Sequence, residues 1–338
     1  MTFTVGVSRD LLNSKGEFGF DATIFDVLAT AAEPIQWELM PDEGPIVTPA
    51  QMARYDALYI NTPAVREESF GAAPPRVRIV ARHGVGFDTI DVAALTRRGV
   101  ILTNTPEAIR KPVATMTITF ILALAQRLFL KDRLTRAGRW GERVDYMGQG
   151  LAGRVLGLVG AGGIATETAR LAQAFDMRVI ATGRAELEGR PVVKTDELLP
   201  RAPLETVLRT ADFVVLACPL DETSRGLIGR DALALMKPGA YLINVARGGV
   251  LDEAALLEAL QSGRLAGAAL DVFTQEPVNS DNPLLRRDDV IVTPHALCWT
   301  DQLFDAIART ALTSVADALS GRRPRHVVNP DALAKGLS

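Results

Sequence analysis

A chain of 338 residues exceeds what one small core organises and implies two domains. Its 48% hydrophobic and 23% charged residues are ordinary globular proportions, which excludes a disordered or collagen-like chain. A formal net charge of -3 gives no basic footprint for nucleic acid or a membrane surface, and two cysteines, Cys218 and Cys298, are too few for a disulfide framework.

The opening Met-Thr-Phe-Thr-Val lacks the basic and apolar regions of a secretory signal, so a cytoplasmic location is expected. Short β-branched runs then alternate with helical patterns. Strands are predicted at Thr4–Val7, Ile35–Leu39, Ala57–Ile60, Val77–Ala81 and Val100–Thr103. A long helical stretch follows from about Ala114 to Ala137. Its apolar run from Ile118 to Leu130 is short, is interrupted by Arg127 and ends at Lys131, so it reads as a core helix rather than a membrane span. A second series of strands is predicted at Val155–Val159, Arg178–Ala181, Phe213–Cys218, Tyr241–Val245, Ala266–Leu270 and Val290–Val292. A last helix spans about Asp301 to Leu319, and Arg322, Arg323 and Arg325 beyond it read as a solvated basic face. This alternation predicts an α/β protein with two Rossmann-like domains built on parallel sheets. The expected division is 1–103 with 298–338 for a discontinuous substrate domain, and 104–297 for a dinucleotide-binding domain. Cys218 and Cys298 lie in apolar segments and read as buried free thiols.

The segment Arg154-Val-Leu-Gly-Leu-Val-Gly-Ala-Gly-Gly-Ile-Ala165 reads as strand, turn and helix, with G-x-G-x-x-A at Gly160, Gly162 and Ala165. The first glycine permits a tight turn, the second lets backbone approach a pyrophosphate, and Ala165 allows helix to pack on strand. The pyrophosphate would sit on the N–H groups of Gly163 and Ile164. NAD sites place a carboxylate at the end of the second strand, where it meets the ribose hydroxyls. Here Gly183 and Arg184 stand in that place. Absence of the acid and presence of a guanidinium favour a 2′-phosphate, so NADP is the expected cofactor with NAD as the lesser choice. The blander alternative leaves Arg184 in solvent and gives the ribose to Glu186.

Only His83, His295 and His326 can supply an imidazole for proton transfer. His326 follows Arg325 and reads as a surface residue, and His83 precedes Gly84-Val-Gly86. His295 ends Val290-Ile-Val-Thr-Pro-His295, just past a strand, where ligands of open α/β sheets bind. Arg247 follows the strand Tyr241-Leu-Ile-Asn-Val-Ala and precedes two glycines, a place where a guanidinium calls for an anion such as a substrate carboxylate. Asp271 ends another strand and Glu276 lies in the loop after it. A carboxylate bonded to His295 would orient its ring, and spacing leaves both open. No metal-ligand spacing is present.

These segments together resemble the D-isomer-specific 2-hydroxyacid dehydrogenase family. The resemblance runs through Arg82–Asp91, Asn104-Thr-Pro106, Gly157–Ala165, Pro219-Leu220, Asn244–Asp252, Ala269–Phe273, Glu276-Pro277 and Thr293-Pro-His295. It implies hydride transfer between a nicotinamide cofactor and a small 2-keto or 2-hydroxy acid, with Arg247, Glu276 and His295 as the catalytic set. It implies that Asp271 holds the nicotinamide carboxamide, that Cys218, Pro219, Val245 and Ala246 flank the cofactor, and that backbone at Val85 and Gly86 joins Arg247 in binding the substrate carboxylate. It further implies an active site in a cleft between the domains and a homodimer through the cofactor domain, an assembly to which the apolar 114–137 stretch and Trp140 also point. Gly183-Arg184 resembles the NADP-preferring glyoxylate and hydroxypyruvate reductases of the family. Two features depart from it: Ala296-Leu-Cys-Trp299 follows His295 where small residues including Gly are usual, and no regulatory domain follows the last helix, which sets the expectation against a long-form phosphoglycerate dehydrogenase. The alternative from another class is a dinucleotide-sensing protein of the same fold, like the corepressors that resemble this family. A formate-type dehydrogenase would carry Gln in place of Glu276.

Overall fold

A computed structural model describes residues 2–41, 44–187 and 199–336. The chain divides into two compact units, Met1–Ile109 with Trp299–Ser338, and Arg110–Cys298. The expected divisions lie a few residues earlier at the first boundary and one residue earlier at the second.

The first unit carries β1 (Phe3–Val7), β2 (Ile35–Leu39), β3 (Ala57–Ile60), β4 (Ile79–Arg82) and β5 (Ile101–Thr103). All pairs are parallel, in the order β2-β1-β3-β4-β5, which is the flavodoxin-like variant of a doubly wound sheet. Successive side chains of a strand face opposite ways. Ala57 and Tyr59 therefore join Val5, Val7, Ile79 and Ala81 in one core, while Leu58 and Ile60 join Val80 and Leu102 in the other. Burial on both faces is why these strands read as continuous apolar runs. The helix Asp301–Leu319 starts at Thr300, whose hydroxyl accepts from the Leu303 N–H at 3.1 Å. Phe304, Ala308, Ala311, Leu312 and Val315 recur at helical spacing and fill the first of these cores, so the unit is discontinuous in sequence.

The second unit carries β6 (Val155–Val159), β7 (Arg178–Thr182), β8 (Phe213–Leu216), β9 (Ala240–Asn244), β10 (Leu265–Leu270) and β11 (Val290–Val292). They are parallel in the order β11-β10-β9-β8-β6-β7. A single bridge, Ala181 to Arg201, extends this sheet beyond β7. The order reverses between β6 and β8, which opens a crevice beyond their carboxyl ends.

The stretch expected as one helix over 114–137 is two. The first runs Pro106–Ala125, with Pro112 inside it, and the second runs Leu128–Arg136. The Ala125 carbonyl accepts from the Gln149 N–H at 2.8 Å, and Arg127 takes a left-handed φ of 51°, so the ladder stops there. The first helix is long and apolar enough to cross a membrane by length and composition, but its residues from Val113 to Ala125 are largely buried. Buried core helices share that property, and this one is read as such.

Candidate active site

The sites in the second unit stand at the carboxyl ends of its strands. After β6 the chain turns at Gly160, with φ 123°. A Cβ there would lie 2.5 Å from the Ala217 carbonyl oxygen, so only glycine lets the turn pass the end of β8. Gly162 precedes the helix Gly163–Gln173 and a Cβ on it would face open space. The first helical bond is Thr166 N–H to Gly162 O at 3.0 Å. The N–H groups of Gly163 and Ile164 therefore have no acceptor among the described residues. Fully buried Ala165 keeps the helix close on the sheet. Gly160, Gly162, Gly183, Arg184, Cys218 and Pro219 line one cavity of about 260 Å³ with Arg201 and Asp221. A tight turn, open space before a helix start and bare N–H groups fit the pyrophosphate of a dinucleotide.

At the outer end of this cavity Arg184 is exposed and pairs with Asp221 at 2.7 Å. Hydrogen bonding from Thr223 and the Arg184 charge hold the Asp221 carboxyl below the usual carboxylate range. Arg201 was not singled out in the sequence. A Cβ on Gly183 would overlap its guanidinium, so the glycine makes room for a second arginine. The side chain of Glu186 lies outside the described residues. Burial lifts the thiols of Cys218 and Cys298 to about 11, and both are free and buried as expected.

The other residues expected at the site cluster beyond β9, β10 and β11. Asn244, fully buried, accepts from the Ala246 N–H at 3.0 Å and donates to the Arg247 carbonyl at 3.0 Å. It thereby shapes the turn through Val245 and Ala246 to Arg247, whose Nη1 donates to the Ala246 carbonyl at 2.7 Å. Asp271, also buried, uses Oδ1 to accept from the Thr293 hydroxyl at 2.5 Å and from the Ala296 and Leu297 N–H groups, each at 3.2 Å. Those bonds bracket His295, which holds a left-handed φ of 54°.

Glu276 accepts from the Phe273 N–H at 3.0 Å through one oxygen and stands 2.8 Å from His295 Nδ1 through the other. Its loop is tied down by Glu253, which accepts from the Thr274 N–H at 2.6 Å and the Asn282 amide at 2.9 Å. Burial alone would raise the Glu276 carboxyl. Hydrogen bonds from His295 and Phe273, with the charges of His295 and Arg247, outweigh it and hold the group below its ordinary value. Of the two carboxylates that spacing left open, Glu276 meets the ring and Asp271 meets the backbone around it. An ionised Glu276 can only accept, so Nδ1 carries the proton of that bond.

In the first unit, Val85 and Gly86 follow β4. The Asn104 side chain donates to the Val85 carbonyl at 2.9 Å and the Thr105 N–H to the Gly84 carbonyl at 3.0 Å. The N–H groups of Val85 and Gly86 donate to nothing among the described residues. His83 is buried among Phe20, Tyr59 and Phe304, with Nδ1 2.5 Å from the Tyr59 hydroxyl. Burial, aided by the Arg82 charge, pushes it down to about 3, so it is neutral at physiological pH. His326 is not the surface residue expected. Its side chain is 19% exposed, and its carbonyl accepts from the Asn104 N–H at 3.3 Å. The first unit also carries a shallow concavity of about 920 Å³ lined by Arg66, Glu67, Phe70 and Asp88, which contains none of the expected catalytic, cofactor or substrate residues. Among the described residues no group of His, Cys, Asp or Glu is arranged to hold a metal ion.

Residues 118–296 match the model of the D-isomer specific 2-hydroxyacid dehydrogenase NAD binding domain. The chain is 35% identical to a glyoxylate reductase of Korarchaeum cryptofilum, over 90% of this chain and 93% of that one. It is 37% identical to a glyoxylate reductase of Thermococcus gammatolerans, over 77% and 78% of the two chains. Among solved structures, the TT0316 protein of Thermus thermophilus aligns with a TM-score of 0.81 at 30% identity, covering 96% of this chain and 99% of that one. A D-lactate dehydrogenase of Aquifex aeolicus, solved with NAD and lactic acid, aligns with a TM-score of 0.80 at 25% identity over 96% and 99%.

Proposed function

Because the chain belongs to the D-isomer-specific 2-hydroxyacid dehydrogenase family, we propose that its own reaction is the NADPH-preferring reduction of a small 2-keto acid of the glyoxylate or hydroxypyruvate type. Membership by itself makes the chain a dehydrogenase that uses a nicotinamide dinucleotide and transfers hydride between it and a 2-keto or 2-hydroxy acid. The observation that carries the proton-transfer chemistry is the 2.8 Å contact of Glu276 with His295 Nδ1, in reach of the Arg247 charge, and the preference for NADPH is drawn from Arg184 in the cavity that Gly160 and Gly162 line. The glyoxylate reductases among the relatives support the substrate class. The cytoplasmic location expected from the sequence belongs to the same reading.

In this reading the backbone of Gly160, Gly162, Gly163 and Ile164 holds the pyrophosphate, and Cys218, Pro219, Val245 and Ala246 flank the cofactor. Asp271 spends Oδ1 on the turn, and its other oxygen, which accepts no bond among the described residues, takes the nicotinamide carboxamide. The bound cofactor supplies the hydride. Arg247 and the free N–H groups of Val85 and Gly86 anchor the substrate carboxylate. Glu276 fixes the ring of His295 through Nδ1 and so presents Nε2 to the carbonyl oxygen. Protonated His295 gives up that proton as charge develops on the oxygen, and Arg247 steadies the charge. In oxidation neutral His295 takes the hydroxyl proton.

A homodimer through the second unit is part of the proposal. Of nine large apolar side chains exposed among the described residues, Leu128, Phe129, Trp140, Val144 and Met147 fall within 20 positions of one another. Such a concentration marks a surface that a partner covers, and a second copy of the chain is the partner the family resemblance implies. Light scattering at micromolar concentration should give twice the chain mass, and a monomer would count against this surface.

Cofactor preference rests on Gly183 and Arg184 at the end of β7, supported by Arg201 beside them. NADPH should exceed NADH in kcat/KM. A charged hydrogen bond is worth about 1.5–3 kcal/mol, or roughly tenfold to a hundredfold and somewhat more. Arg184→Ala should erase much of that gap through the KM for NADPH, and a wild type that prefers NADH would refute the reading of this loop.

Proton transfer is tested on the histidines. His295→Gln should retain NADPH binding and lose at least about 10²–10⁴-fold in turnover. Glu276→Gln should cost less and move the pH range for reduction downward, because the protonated ring loses a carboxylate that stays ionised below its ordinary value. His83→Gln should cost little, since that ring is already neutral. Near wild-type turnover in His295→Gln with a dead His83→Gln would transfer the acid–base role to His83.

A further inference from the structure

We propose that Arg110 is a cofactor-binding residue whose guanidinium clamps the pyrophosphate from the side opposite the glycine turn. The inference rests on the dinucleotide reading of the Gly160–Ala165 turn and adds a residue that this fingerprint does not contain. Arg110 and Gly163 belong to the same unit. A Cβ built on Gly163 would overlap Arg110 Nε and lie 2.7 Å from its Cδ. The stem of the arginine therefore occupies the place a side chain at 163 would take, and only glycine there lets it settle against the start of the helix Gly163–Gln173.

The charge makes this position unusual. The first N–H groups of that helix are unsatisfied and carry the positive end of the helix dipole. A guanidinium beside them meets like charge. Arg110 is exposed and its side chain makes neither ion pair nor hydrogen bond among the described residues, so no carboxylate offsets the repulsion. An anion in reach of both reverses the sign of the interaction. The pyrophosphate is such an anion, bearing two negative charges where the fingerprint seats it. A planar guanidinium with several N–H donors matches phosphate oxygens better than an ammonium would. The fingerprint helix then contributes N–H groups from one side and Arg110 its fork from the other.

The pyrophosphate is common to NADH and NADPH, which separates this role from that of Arg184. Isothermal titration of the full-length protein with ADP-ribose, adenosine, NADH and NADPH tests it. Arg110→Ala should weaken ADP-ribose, NADH and NADPH alike, by about tenfold to a hundredfold, and leave adenosine unchanged. Arg110→Lys should recover only part of the loss. Gly163→Ala keeps the arginine but displaces it, and should weaken ADP-ribose several-fold with a normal melting temperature. Unchanged ADP-ribose binding in Arg110→Ala, with a raised KM for the keto acid, would overturn the proposal and give the arginine to the substrate. A wild type that binds neither ADP-ribose nor NADPH would overturn the dinucleotide reading itself.

Discussion

One carboxylate oxygen determines where the imidazole of His295 stands. Asp271 Oδ1, buried at the end of β10, accepts from the Thr293 hydroxyl and from the N–H groups of Ala296 and Leu297. A buried carboxylate left without partners would be costly, so those three donors are bound to it as firmly as it is to them. Between them the backbone of His295 is held in a left-handed conformation that non-glycine residues seldom adopt. The ring is thereby turned toward the loop after β10, where Glu276 meets it. The contact of Glu276 with His295 needs the ends of β10 and β11 to stay in register, and the pairing of Ala268, Ala269 and Leu270 with Val290, Ile291 and Val292 provides that.

The same logic of strand ends organises the cofactor side. The order of the second sheet reverses between β6 and β8, and the crevice there collects Gly160, Cys218 and Pro219 around one cavity. Its outer end is decided by charge. Arg184 already holds Asp221, so a 2′-phosphate entering the cavity must share or displace that carboxylate. Exposed pairs of this kind are worth little, so under the proposed NADPH preference a 2′-phosphate with several acceptor oxygens would compete for the guanidinium. Arg201 stands beside Gly183 and lines the same cavity.

Much of this was legible in the sequence because strands buried on both faces leave continuous apolar runs, and all eleven predicted strands are present within about two residues of the expected ends. Gly160, Arg247, Glu276 and His295 could be named because each follows such a run. What could not be read depends on contacts between distant residues. The end of the helix at Ala125 is set by Gln149, far along the chain, so the helical pattern over 114–137 concealed it. His326 lies in a basic stretch, yet a bridge from Thr103 to Val327 draws its segment onto the first unit. Spacing could not choose between Asp271 and Glu276 as partner of the ring, since both lie past the same strand. Arg110 and Arg201 carry no local motif, and their only trace is a glycine elsewhere, at 163 and 183, that makes room for them.

In the proposed reaction an ionised Glu276 fixes His295 by accepting a hydrogen bond from its Nδ1–H, which leaves Nε2 to face the substrate. Nitrogen-15 NMR of histidine-labelled protein near neutral pH reads this directly, with His295 assigned by its loss in His295→Gln. The account predicts that His295 carries a proton on Nδ1 in its neutral form, and that Glu276→Ala abolishes this preference. A neutral His295 protonated on Nε2 alone, or a tautomer indifferent to Glu276→Ala, would contradict it.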